Sequence, residues 1–156
     1  MYLGVTLDST LSYKKHIANI ILKAQNATRL LLPLMRRESY LPSHLKVQLY
    51  CIFIRPLMTY ACQAFANCPN SHFKKLQVQQ NKNLRMALNT EWYCKNSDLH
   101  TRAKILTMRA LVDRLSDKFY LRAKTHDSAL VRDIQTLTES SPSFRVKHRL
   151  PHKVSN

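Results

Sequence analysis

Glycine occurs once in this chain of 156 residues, at Gly4. A dinucleotide-binding fold or a P-loop needs several glycines where backbone meets phosphate, so both are excluded. So scarce a turn former also argues against a hairpin-rich β fold. Carboxylates are few as well, 9 Asp and Glu against 25 Lys and Arg. Polymerase or nuclease chemistry gathers two or three carboxylates around divalent metal. Here they are scattered, with no Asp-Asp pair anywhere, and most fall at helix caps or on solvent faces. Asp113 and Asp117 share one helix face, but each has basic neighbours to pair with. No nucleophile–base arrangement emerges, because the serines, histidines and cysteines follow caps and core faces. The four cysteines, Cys51, Cys62, Cys68 and Cys94, form no CxxC pair. Cys51 and Cys62 read as small core residues and the other two as incidental. Neither a metal site, a cofactor nor a small-molecule ligand is expected of this chain. No apolar run approaches the length that spans a bilayer. Met1-Tyr2-Leu3-Gly4 carries neither a basic n-region nor an apolar h-region. The expected location is therefore nuclear or cytoplasmic, where disulfides are rare.

What the chain has in excess is positive charge, a formal +16. Self-repulsion of that size is best relieved by a polyanion, which makes nucleic acid the first partner to consider. A membrane surface fits less well, because the apolar helix faces are needed for a core. One segment, Ser71 to Asn89, sets its share of that charge on a single helix face. Read at 100° per residue, Phe73, Leu76, Leu84, Ala87 and Leu88 share one face, with Gln77 and Gln80 among them. Lys74, Lys75, Lys82 and Arg85 fall on the other. This is an amphipathic helix, capped by Ser71, whose outer face is cationic.

In chain order, residues 2–8 are apolar and β-branched for their length and predict one short strand. A lone strand cannot satisfy its ladder, so it implies a partner strand upstream. A long helix follows from about Tyr13, capped by Ser12 or Thr10, with Ile17, Ile20, Ala24, Ala27, Leu31 and Met35 on one stripe. Pro33 should kink or stop it. Arg36 and Arg37 at its end suit either the helix dipole or a phosphate contact. A second helix begins after Ser43, is kinked at Pro56 and resumes to Phe65. Its nearly all-round apolarity predicts the buried centre of a bundle. After the cationic helix, Trp92 is expected to plug the end of the core, with stacking on an exposed base as the other reading. A short helix to about Lys104 precedes one from Thr107, and a last one covers Ser128–Gln135. His16, His44, His72 and His100 recur every 28 residues, which reflects helix–turn units of similar length and no metal site. The fold expectation is thus mainly α: a bundle of about five helices, one N-terminal orphan strand and a disordered basic tail over 136–156.

Several runs in this order resemble one family. Tyr2-Leu-Gly-Val-x-Leu-Asp8 is followed by Ser12-Tyr13-x-x-His16-Ile17. Then come Leu49-Tyr50 and Ile54-Arg55-Pro56-x-x-x-Tyr60. Leu76-Gln77-x-x-Gln80-Asn81-Lys82-x-Leu84-Arg85 precedes Trp92-Tyr93 and Asp98-Leu99. Together they resemble the C-terminal part of the reverse transcriptases of non-LTR retrotransposons, most closely the jockey-like elements. The resemblance runs over roughly residues 2–135; Tyr13 stands where the family commonly has tryptophan. It implies that residues 1–10 are the end of a palm and residues 11–135 a helical thumb-like domain. Such a thumb grips the template–primer backbone without reading sequence. The candidate contacts are Lys74, Lys75, Lys82, Arg85, Arg36 and Arg37. The family's paired catalytic aspartates, and the magnesium the parent polymerase would use, belong to a palm and fingers this chain does not supply. The other reading is a domesticated basic helical protein acting as a protein- or chromatin-interaction module.

Overall fold

The computed structural model describes residues 2–66 and 68–132, and they are mainly helical. The expected tail over 136–156, and the end of the last expected helix beyond Arg132, lie outside the described residues. Helix α1 (Lys14–Leu30) leads into the short α2 (Leu32–Met35). The break at Leu31 is the stop expected of Pro33, which sits in the first turn of α2 without an N–H to continue the ladder. α3 (Ser43–Leu49) runs into a π-helical turn (Tyr50–Ile54), then α4 (Arg55–Thr59) and α5 (Cys62–Phe65). The kink expected at Pro56 therefore takes the form of a π turn, because Pro56 offers no N–H to the Ile52 carbonyl. Helix α6 (Asn70–Leu88) is the longest, followed by α7 (Asn96–Ala103), α8 (Met108–Lys124) and α9 (Ala129–Arg132).

Among the described residues there is no strand. Residues 2–8 instead begin with a tight turn in which Tyr2 and Val5 exchange both backbone hydrogen bonds, at 2.9 and 2.8 Å. Leu3 and Gly4 have φ values of 43° and 78°, and glycine reaches that region without a Cβ penalty. The one glycine thus folds the segment back where an extended strand was expected. Asp8 then organises the entry to α1, accepting from the Ser12 N–H and from the Ser12 hydroxyl, each at 2.6 Å. That hydroxyl holds the Asp8 carboxyl below its ordinary pKa. The expected caps Ser43 and Ser71 lie inside their helices, whose N-caps are Pro42 and Pro69. Thr107 does cap α8, accepting from the Ala110 N–H at 3.3 Å.

The centre of the bundle is α6 and not the segment around Pro56. α6 packs against α1, α3, α7 and α8. Phe73, Leu76, Leu84 and Ala87 are buried there against Ile17, Ile20, Met35, Ile54, Met58 and Val112. The Pro56 segment buries one side, Lys46, Tyr50, Ile54, Met58, Cys62 and Phe65, and leaves Ile52 and Phe53 63% and 53% exposed. Apolar composition all round had marked it as the centre; its outward half has nothing packed on it. Cys62 and Cys68 are the buried thiols, both raised to about 11 by burial, while Cys51 is only half-buried.

His16 ties the N-terminal turn to this core. Its Nδ1 accepts from the Thr6 N–H at 3.3 Å, and its ring stands edge-on to Phe65 with centroids 5.5 Å apart. Burial, aided by Lys23, holds its pKa below the ordinary 6.5. The unfolded chain therefore takes up this proton at a higher pH than the folded chain. Stability is full above about pH 7 and declines as pH falls through the unfolded value towards the folded one. The thermal midpoint should drop between pH 7.5 and 5.5, and His16→Gln should flatten that dependence. An unchanged slope in the variant would show that His16 does not set it.

Candidate nucleic-acid interface

A helix of 19 residues is about 28 Å long, so α6 presents a surface on the scale of several phosphate spacings. Lys74, Lys75 and Lys82 are exposed on it. Val78, 52% exposed, lies between them, one turn from the Lys74–Lys75 pair and one turn from Lys82. The three lysines, Val78 and Gln79 form one wall of a shallow groove of about 340 Å³, and Ile21 and Gln25 of α1 form the other. The structure thus brings together three of the six sequence-predicted cations. Long stems along apolar surface with ammonium heads in water suit contact with a phosphate backbone.

The other three are placed differently. Arg85 is half-buried and turns away from the lysines. Its Nη2 donates to the Cys94 carbonyl at 3.0 Å and to the Asn96 carboxamide at 2.8 Å, tying α6 to the start of α7. Arg36 and Arg37 lie near the C-terminal end of α6, where buried Lys46 donates to the Arg36 carbonyl at 2.7 Å and to Asn89 at 3.4 Å. Both arginines are exposed, Arg36 at 3.8 Å from Glu38 and Arg37 at 3.4 Å from Glu91.

The lysine wall is held in place by amides, of which the helical periodicity placed only Gln77 and Gln80 on the core face. On the α1 side, Gln25 donates to Gln79 at 3.4 Å. Thr28 gives its one hydroxyl proton to the Ala24 carbonyl at 2.8 Å, so its 3.0 Å contact with Asn83 is satisfied when the amide presents its NH2. On the opposite side, Gln77 accepts from the Met108 N–H at 2.8 Å and Gln80 donates to the Leu106 carbonyl at 3.0 Å. His100 lies 3.0 Å from the Ile105 carbonyl through Nδ1, which fixes the proton there and leaves Nε2 to accept from Gln77 at 3.0 Å. Asn81 completes this cluster. Gln77 and Gln80, on the core face of the helix, are therefore buried or half-buried clamps on the α7–α8 connection. The signal that would have found Gln79 and Asn83 is their i,i+4 spacing beside Gln25 and Thr28 of the first helix.

Trp92 does not plug the core. It is 82% exposed beside Tyr93, 72% exposed. The loop from Asn89 to Lys95 is too short to carry the ring back under α6, whose C-terminal end is already closed by Lys46 and Arg85. Among the described residues no three His, Cys, Asp or Glu side chains stand together as a metal site would need. No helix among them is long and apolar enough to cross a membrane.

No protein-family profile and no solved structure matches the chain. Three curated proteins of Drosophila melanogaster do. The RNA-directed DNA polymerase from mobile element jockey is 28% identical over 99% of the chain and 18% of its own length. The probable RNA-directed DNA polymerase from transposon X-element is 29% identical over 96% of the chain and 16% of its own length. That from transposon BS is 25% identical over 95% and 16%. The chain spans less than a fifth of these relatives. Over nearly its whole length it is similar to a stretch of the RNA-directed DNA polymerases of jockey-type retrotransposons, as its ordered motifs imply.

Proposed function

We propose that this chain is the thumb-like part of a non-LTR retrotransposon reverse transcriptase, gripping the template–primer backbone without sequence specificity. The observation that carries this reading is the lysine wall of α6, set inside a run that matches these polymerases. Lysine ammoniums contact phosphates as point charges and do not read base edges. On this reading the chain holds no catalytic centre of its own. The carboxylates and the magnesium they bind sit on the palm of the parent polymerase, and the described residues offer no donor set that fits such a metal. The palm and fingers are the partner of the apolar face left by Leu22, Ile52, Phe53, Leu57 and Tyr60, all 36% exposed or more. Its place of action is the nucleus or cytoplasm, where such a template is found.

The test is equilibrium binding of the purified full chain to an RNA–DNA hybrid across a salt series. The expected result is tight binding at about 50 mM salt, with steep salt dependence and equal affinity for hybrids of unrelated sequence. Failure to bind at that salt would overturn the reading. A strong preference for one sequence would replace a backbone grip with base readout.

A further inference from the structure

The loop between α6 and α7 carries the largest uncovered aromatic surface of the described residues, and it does so on a fixed frame. Trp92 and Tyr93 stand edge to face, with centroids 5.8 Å apart and planes at 86°. Neither ring is covered by the core. The backbone beneath them is held on both sides. Arg85 binds the Cys94 carbonyl, the Thr90 N–H donates to the Arg85 carbonyl at 3.0 Å, and the Cys94 N–H closes a turn on Glu91 at 3.2 Å. Asn89 is anchored by Lys46. A short loop this well anchored holds two large rings in water, each covered only by the edge of the other.

The surroundings select the occupant. Lys95 and Arg102 line an open recess of about 490 Å³ beside Tyr93. Its two acids are engaged, Glu91 by Arg37 at 3.4 Å and Asp98 by the Ser97 hydroxyl at 3.0 Å. Cations flanking exposed rings in a chain of formal charge +16 fit a polyanion with free π faces. A duplex has no such faces, because its bases are stacked on one another. We infer that the Trp92–Tyr93 loop is a stacking site for an unpaired base of single-stranded RNA or DNA, with Lys95 and Arg102 on the neighbouring phosphates. The inference rests on the reading of the chain as a nucleic-acid binder. It adds a second contact, at the opposite end of α6 from Lys74 and Lys75, for a strand that is not base-paired.

Trp92 is the one tryptophan of the chain, so tryptophan emission, excited beyond the tyrosine absorption band, reports on this loop alone. The full chain is titrated with oligo(U), with oligo(dT) and with a blunt RNA–DNA hybrid, and binding is followed in parallel by anisotropy of the labelled strand. Saturation with either single strand should quench Trp92 emission. Trp92→Ala should weaken single-strand binding about 5- to 100-fold, Trp92→Phe should retain most of it, and hybrid affinity should change little in either. Quenching by both oligomers assigns the site to unpaired bases in general. Quenching by one alone assigns it to RNA or to DNA. Single-strand binding that leaves Trp92 emission unmoved, or equal affinity in Trp92→Ala, would overturn the inference and point the rings towards a protein contact. Hybrid binding without single-strand binding sinks this inference alone. Binding of neither sinks it together with the backbone grip.

Discussion

Replacing Lys74, Lys75 and Lys82 together with alanine should lower the slope of log affinity against log salt for an RNA–DNA hybrid by about two to three. Each phosphate contact contributes about 0.9 to that slope on duplex nucleic acid. At ~0.1 M salt, three such contacts correspond to an affinity loss on the order of several hundred-fold. The thermal midpoint should stay within a few degrees of the parent, because the three side chains are exposed and none makes an ion pair among the described residues. The double replacement of Arg36 and Arg37 makes the comparison. Each already faces an acid, Glu38 or Glu91, and both lie near the far end of α6. Their loss should change the slope by less than that of the lysines. Equal slopes in the parent and the triple variant would remove the lysine wall as the grip.

Leu84→Ala should destabilise the fold by about 3–4 kcal/mol, whereas Phe53→Ala should cost well under about 1 kcal/mol. Leu84 is fully buried in the C-terminal half of α6, within the core cluster, so truncation leaves a cavity. Phe53 is half exposed on the outward side of the π-helical turn, where water already occupies the space a smaller side chain would leave. Total stabilities of domains this size are about 5–15 kcal/mol, so the first change removes a large share and the second almost none. Denaturant unfolding of both variants checks this. A larger loss for Phe53→Ala than for Leu84→Ala would return the centre of the bundle to the Pro56 segment.

The helical architecture was legible because 3.6-residue periodicity registers one partner at a time. Phe73, Leu76, Leu84 and Ala87 fell on one face and are buried on one face. Pro33 and Pro56 announced their breaks through the missing N–H, although the π form of the second break depends on how the chain repacks around it. The cationic wall was legible for the same reason. Lys74, Lys75 and Lys82 have no neighbours to redirect them, so the helical wheel places them correctly. Arg85 could not be placed that way, because its partners Cys94 and Asn96 arrive from the next connection. The amides show a further limit. Gln79, Asn81 and Asn83 count as solvent-facing on any hydropathy scale, yet all are buried, because polar groups on α1 and the α7–α8 connection meet them. Trp92 failed in the opposite direction. Its apolar bulk argues for burial, but the short loop that carries it leads away from the core. At the N-terminus, the β-branched character of Val5 and Thr6 was outweighed by Gly4 and the turn it permits.

The amides on both flanks of α6 couple the two ends of the molecule in folding. With α1 docked and the α7–α8 connection absent, Gln77, Gln80 and Asn81 would lose their clamps, and the reverse assembly would strand Gln79 and Asn83. Facing water in such a form, each amide forgoes the roughly 0.5–1.5 kcal/mol that its intramolecular hydrogen bond contributes. Half-assembled forms are therefore disfavoured from either side. The bundle should unfold in one cooperative step, with α6 the last helix whose amide protons exchange with solvent.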